Sequence, residues 1–468
     1  MIVQRAWPGV GTRPCAYGGE PQRLSAALLA VMLVLAGLAA IYFAWPVYRA
    51  LLPLQLEGGD IWHAYHADAL RAGLPLYSFD VFITNNYPPL SFYLLNALAA
   101  LTGFDVLYVG RVLCLAATVA ATVGVWACVR SLAGSRLGAT LAALWWLATA
   151  AKWYSVWVGR DDPHLVALAI MTGCLAYILR YPKSGGALIA ILVMAAAGFY
   201  KHTLVAIPLA SFLWLTLHDR RRGLYAIMLG LGVVAVGLAI CGALYGQAFF
   251  HCMLMPRVYR LSRGLGHIGL IQFIAPALIL ALIWAFYRRQ TMGGQFVLLF
   301  IAIAFASFIV QSVGEGVADN AIFELTIATA LGLGCAFADL AAIPKVQSFG
   351  LERTQVLVVC ILIGRFLLSQ HVAPYLFVFS PAFRAELNER IAVLKAETAR
   401  VAAIQGLVVC DYEVVCRSAG QPLLYDYFAV SQRVAKGEMS WQDVYAIAAA
   451  RKILFVKLDR RVDVADLR

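Results

Sequence analysis

The chain has 468 residues, 62% of them hydrophobic and 13% charged, with 37 basic against 25 acidic side chains and a formal net charge of +12. Soluble domains carry roughly 45–50% apolar and about 25% charged residues, which excludes a soluble globular protein; intrinsic disorder is excluded because disordered chains are poor in large apolar side chains. What is left is a polytopic α-helical membrane protein with room for loops and one modest water-soluble module.

Arg5, Arg13 and Arg23 precede an apolar run from Leu24 to Trp45. The run is too long for a signal-peptide core and predicts an uncleaved first helix, with residues 1–23 as a cytoplasmic tail. A first outer loop follows over about 46–108. Inside it, 88–104 opens on Pro88-Pro89-Leu90 and is short. A crossing there would invert every later loop and turn Arg220-Arg221-Arg222 outward, so a re-entrant or membrane-surface helix is expected. Further apolar runs fall near 109–129, 137–157, 163–179, 186–199, 203–217, 224–246, 269–287, 295–312, 321–340 and 354–370. Together they predict about 11 transmembrane helices in a domain over 24–370.

Alternating these runs from an inside start puts Arg130/Arg136, Arg180/Lys183, Arg220-Arg221-Arg222, Arg288-Arg289 and Lys345/Arg353 in cytoplasmic loops, as the positive-inside rule requires. The segment 249–267, with Arg257, Arg260 and Arg263, is basic yet falls outside; either the count differs there or these arginines have anionic partners. Past a boundary at 371–381, around Pro374 and Pro381, a charged amphipathic helix (384–400) is mixed with short apolar strands at 407–410 and 453–457. This predicts a small extracytoplasmic α/β module over 371–468. Within it Cys410 and Cys416 flank five residues and form either a disulfide or two free thiols.

Four polar clusters share the outer face: 57–80, Arg160-Asp161-Asp162, Lys201-His202 and 315–320. Asp60 follows Gly58-Gly59 and precedes a helical pattern. It is either an N-cap or a base held just outside the bilayer, with His63 and His66 along the same face. Asp161 or Asp162 either caps the helix that Pro163 opens or holds a ligand together with Arg160. Lys201 is either a snorkelling lysine or a phosphate contact. Carboxylates beside cations suit deprotonation of an incoming hydroxyl and stabilisation of a phosphate leaving group. The chain has no phosphate-binding glycine loop, dinucleotide fingerprint or Ser-His-Asp signature, which argues against a nucleotide-using enzyme.

The order Asp60, Ala69-Leu70-Arg71-Ala72-Gly73, Tyr77, Tyr87-Pro88-Pro89-Leu90, Gly110-Arg111, Arg160-Asp161-Asp162 and Lys201-His202-Thr203 resembles the GT-C superfamily of integral-membrane glycosyltransferases. The similarity is to its bacterial branch, related to the family 39 protein mannosyltransferases and the lipid A aminoarabinose transferases. Asp319-Asn320-Ala321 with Glu324 is similar to the late loop of these proteins, and 420–428 to their C-terminal module. The resemblance implies an inverting transfer of a sugar from a polyprenyl-phosphate donor to a glycan, glycolipid or protein hydroxyl. It implies a bacterial inner membrane with the site and the module on the periplasmic side, and no nucleic-acid partner.

Residue by residue, the resemblance makes Asp60 the base and places Arg160 with Asp161 or Asp162 near donor or acceptor. Lys201, with His202 behind it, falls on the donor phosphate, and Tyr87, Asp319 and Asn320 join the binding set. Arg257 and Arg260 either bind the donor phosphate or an anionic acceptor, or touch lipid headgroups. The chain departs from the family where relatives show Asp-Glu and it has Asp60-Ile61, and where they show Lys-Gln and it has Lys201-His202. No cofactor follows from this; a divalent metal stays open, with His63 and His66 as its candidate ligands. A lipid-linked-sugar transporter and a polysaccharide ligase are the competing readings, and the absence of repeated halves favours an enzyme over a transporter.

Overall fold

The computed structural model describes residues 25–458 and 462–464, so the predicted tail with Arg5, Arg13 and Arg23 lies outside the described residues. Among the described residues, twenty-one α-helices and two short strands follow one another. The membrane part comprises α1 (Ala26–Ala50), α2 (Gly58–Arg71), α3 (Leu90–Thr102), α4 (Val106–Ala133), α5 (Arg136–Trp153), α6 (Pro163–Arg180), α7 (Gly185–Ala197), α8 (Ala206–His218), α9 (Arg220–Tyr245), α10 (Gln247–Met253), α11 (Leu261–His267), α12 (Ile271–Tyr287), α13 (Met292–Ser312), α14 (Phe323–Ala338), α15 (Pro344–Phe349) and α16 (Leu351–Leu367). The remainder holds α17 (Ala373–Phe379), α18 (Pro381–Ala402), β1 (Leu407–Cys410), α19 (Glu413–Ser418), α20 (Tyr427–Ala435), α21 (Trp441–Ala450) and β2 (Ile453–Val456), with β1 and β2 paired in parallel.

All eleven predicted apolar runs are helical. Among the described residues, seven stretches are long and apolar enough to cross a membrane: Ala26–Ala50, Val106–Ala133, Pro163–Arg180, Arg220–Tyr245, Leu261–Tyr287, Met292–Ser312 and Asp319–Ala338. The other four runs are α5, α7, α8 and α16, of 18, 13, 13 and 17 residues. Helix starts follow local chemistry. Asp105 caps α4 by accepting from the Leu107 N–H at 2.8 Å, and Asp162 caps α6 from His164 N–H at 2.8 Å with Pro163 in the first turn. Helix α3 starts after the paired prolines and ends where Gly103 turns left-handed at φ 75°. Its 13 residues reach about 20 Å at 1.5 Å per residue, short of the hydrocarbon thickness.

Helix α14 is almost wholly buried and packs on α4, α5, α12 and α13. Lipid offers no hydrophobic drive for that packing, so close approach of backbones through small residues supplies it. Gly138 of α5 and Gly334 of α14 face each other so closely that a Cβ on either would strike the other's carbonyl oxygen.

The predicted module does not stand apart. Leu387, Val408, Val415 and Val464 share one apolar core with Leu54, Ile61, Ala64 and Phe92 of the first outer loop. Polar ties run the same way: Arg417 donates to Asp68 at 2.8 Å and to Asp105 at 2.9 Å, Arg451 to Asp80 at 2.8 Å, and the Val414 N–H to Gln55 Oε1 at 3.1 Å. Tyr65 and Tyr77 are buried within the protein. Cys410 and Cys416 are joined as a disulfide, their Cα atoms 5.7 Å apart.

Candidate active site

The polar clusters read from the sequence converge at one end of the bundle, where α2, the N-termini of α4 and α6, and the turn between α7 and α8 meet. Their side chains form a buried network rather than separate surface patches. Asp60, His63, Arg111, Arg160, Asp161, Asp162 and Lys201 are each at most 4% exposed.

Asp60 is not the N-cap of α2. The helix begins two residues earlier, and the Glu57 side chain caps it by accepting from the Gly59 N–H at 2.8 Å. Asp60 sits in the first turn, fully buried, with Arg111 donating to both of its carboxylate oxygens. Arg111 also donates to Leu52 O at 2.6 Å and Leu54 O at 2.8 Å, and the Asp161 N–H donates to Asp60 Oδ1 at 2.7 Å. The expected base is therefore the counter-ion of a buried arginine. An Arg inside the apolar run 109–129 is itself a signal, because an ionisable residue there needs a partner.

Around Asp162 the charges alternate. Asp162 Oδ2 accepts from Arg160 at 3.3 Å and from the Tyr87 hydroxyl at 3.3 Å, while Arg160 reaches Glu57 at 2.7 Å and stacks 4.0 Å above the Trp157 ring. Burial alone would raise the Asp162 carboxyl, but Lys201 and Arg160 hold it well below the usual range. Lys201 Nζ lies 3.4 Å over the Tyr87 ring and 4.0 Å from Asp162 Oδ1, beyond hydrogen-bond reach. Burial pushes Lys201 down to about 8 against the pull of Asp162, and Arg160 and Arg257 push the same way as burial. A buried ammonium with three donors and so loose a partner has capacity for an anion.

His63 bridges Asp161 Oδ1 at 2.8 Å and Ser91 Oγ at 3.1 Å. Both of its ring nitrogens are thus occupied. His66 is buried edge-on to Trp62, and among the described residues no group of three metal-ligating side chains forms around either histidine. Asn320 reaches the site through His164 at 3.2 Å, with Asp319 in the same short turn. His202 is exposed next to Lys201. Arg257 is half-buried over the Phe428 ring of the module, close enough to act on Lys201. Arg260 does not join the network: it is exposed and paired with Glu315 at 3.2 Å, one of the anionic partners that the basic segment requires.

Aromatic rings pack beside the network. Trp62 packs edge-on to Tyr87 with centroids 5.0 Å apart, and its indole N–H donates to Asp426 Oδ2 of α20 at 3.0 Å. Neither the Trp62–Asp426 nor the His63–Asp161 pair carries a sequence signal, since each joins residues far apart in the chain.

Residues 86–245 match the family of dolichyl-phosphate-mannose-protein mannosyltransferases, a stretch that includes Tyr87, Arg111, Arg160 to Asp162 and Lys201. The whole fold is similar to ArnT from Cupriavidus metallidurans in the apo state, with a TM-score of 0.56 at 12% identity, covering 91% of this chain and 91% of that one. The fold is GT-C. ArnT from the same organism bound to undecaprenyl phosphate gives a TM-score of 0.57 at 12% identity, covering 92% of this chain and 88% of that one. No curated protein sequence matches the chain. Within a GT-C fold, the network lies where the first outer loop, the α6 N-terminus and the α7–α8 turn converge.

Proposed function

We propose that the chain transfers a sugar from a polyprenyl-phosphate carrier to a hydroxyl of a glycan, glycolipid or protein, inverting the anomeric centre. The observation that carries this reading is Lys201, a buried cation with only a distant carboxylate partner, flanked by Arg160 and Arg257 at the helix ends of a GT-C fold. The related ArnT was solved with undecaprenyl phosphate, a ligand of the class such a cation would bind. In a single in-line displacement the phosphate leaves from one face of the anomeric carbon as the hydroxyl enters from the other. Cations on the departing phosphate and held geometry supply most of the acceleration. Asp162 and Tyr87 keep Lys201 in place.

The distribution of charge supports a reading of the membrane side. Arg130 and Arg136, Arg180 and Lys183, Arg220 to Arg222, and Arg288 and Arg289 all sit at helix ends opposite to those carrying the network. By the positive-inside rule they face the cytoplasm, which supports an extracytoplasmic site in a bacterial inner membrane. Purified protein given a polyprenyl-phosphate sugar and a glycan acceptor is expected to release free polyprenyl phosphate. Intact lipid crossing vesicles with none released would establish the transporter reading instead.

A further inference from the structure

We propose that a cavity between the first outer loop and the C-terminal part is a subsite for a neutral glycan, and that it seats the acceptor chain beyond the sugar that is modified. The acceptor role rests on the glycosyl-transfer reading; the glycan site itself does not. The cavity has about 370 Å³ of room and is lined by Val81 of the loop, Arg433 of α20, Glu438 and Met439 of the turn after it, and Asp443 and Ile447 of α21. Its size and its apolar walls with a few convergent polar groups suit a small ligand.

Arg433 is the buried member. Its side chain donates to Glu438 Oε2 at 3.4 Å and Thr84 Oγ1 at 3.5 Å, and meets His251 Nε2 at 3.4 Å. A guanidinium has five N–H donors and ordinarily bonds oxygen near 2.9 Å, so contacts this long leave donor capacity in the cavity wall. The carboxylates complement it. Glu438 and Asp443 are exposed. Asp443 uses Oδ2 to accept from the Ser440 N–H and hydroxyl, each at 2.7 Å, so Oδ1 stays available, as does Glu438 Oε1.

This mixture selects by charge. Two carboxylates against one arginine repel a phosphate or a uronic acid, while the arginine repels a metal ion. Sugar hydroxyls both donate and accept, so one neutral ring can satisfy Arg433 and the carboxylates together. Val81, Met439 and Ile447 supply apolar contact for its C–H groups. The nearby Arg451 adds no free charge to this balance, since it is paired with Asp80 at 2.8 Å.

Two elements connect the cavity to the charged network. Thr84, which Arg433 touches, is three residues from Tyr87, at most about 11 Å along the chain, and the Tyr87 ring carries Lys201. Helix α20 runs the same way. Asp426 at its start accepts from Trp62, Gln432 accepts from the Val258 N–H at 2.8 Å and donates to Glu315 at 2.9 Å, and Arg433 lies about 10 Å beyond Asp426 along the axis. A molecule that reaches both the network and the cavity must therefore be an oligosaccharide rather than a single sugar.

The test presents the full chain in lipid nanodiscs to an array of single sugars, short neutral oligosaccharides and the same chains carrying uronic acids. Wild type is expected to hold one or more of the neutral oligosaccharides. Glu438→Gln removes a charged acceptor and is expected to weaken that binding about tenfold. Met439→Trp fills the cavity and is expected to abolish it. Retention of no neutral oligosaccharide, or of uronic-acid chains alone, overturns the site. So does wild-type binding by folded Glu438→Gln, which decides the matter alone if Met439→Trp does not fold. With a polyprenyl-phosphate sugar as donor, the oligosaccharide that binds should show a lower acceptor KM than its single sugar, and equal values overturn the acceptor role. A wild-type protein that binds the oligosaccharide yet releases no polyprenyl phosphate overturns the transfer reading and leaves the glycan site standing.

Discussion

At the scale of single residues, Lys201 links chemistry to a measurable pH dependence. Its ammonium is pushed to about 8, chiefly by burial. The protonated form binds phosphate, so donor affinity is full below that value and falls as pH rises through it. The KM for a polyprenyl-phosphate sugar is expected to climb above about pH 8, and Lys201→Met is expected to raise KM at every pH and abolish that climb. Steady-state kinetics over pH 6–10 would show both, and a wild-type KM flat across the range would remove Lys201 from the phosphate. The residue types of the site were legible in the sequence because carboxylates and cations stand out against apolar runs. Their pairing was not. Asp60 finds Arg111 51 positions away, and His63 finds Asp161 98 positions away, contacts fixed only when α2, α4 and the loop before α6 pack together.

At the scale of elements, hydrophobic length and punctuation located every predicted helix to within a few residues. Pro88-Pro89 and Gly103 bound the short α3, and Asp162-Pro163 starts α6. Helix α8 shows what such signals miss. No side chain of its own caps it; Glu324 of α14 does so instead, accepting from Ile207 N–H at 2.7 Å and Val205 N–H at 3.2 Å. Glu324→Ala is expected to cost about 1 kcal/mol of stability, the usual value of a lost cap. Because α8 begins five positions after Lys201, donor KM should rise as well. Unfolding in detergent and donor titration measure the two effects, and an unchanged midpoint would deny Glu324 its capping role. The Gly138–Gly334 contact has a second signature: Gly334→Leu forces α5 and α14 apart and is expected to lower stability by about 1–3 kcal/mol. A thermal midpoint equal to wild type would show that the helices have room to spare.

At the scale of the molecule, the C-terminal part is bound into the first outer loop by a shared core and by Asp426, which accepts from the Trp62 indole N–H. Burial raises the Asp426 carboxyl to about 6, while the Ala429 N–H and the Trp62 indole N–H pull it back. A carboxyl raised above its unfolded value stabilises the folded state most fully below about pH 4, and that contribution is lost as pH rises through about 6. The thermal midpoint is therefore expected to fall between pH 4 and 7, and Asp426→Asn to flatten that dependence; a variant that keeps the slope would exclude Asp426 as its source. The composition of the last hundred residues showed a mixed α/β segment, but no local pattern showed that it would close over residues near position 60.

That closure also sets an order in time. Trp62 and Asp426 are separated by 364 residues, which at about 5–20 residues per second take roughly 20–70 s to synthesise. Throughout that interval Trp62 lacks the carboxylate to which its indole N–H donates. The contact between Trp62 and the C-terminal part then waits on delivery of the segment around Asp426 to the same side of the bilayer as Trp62.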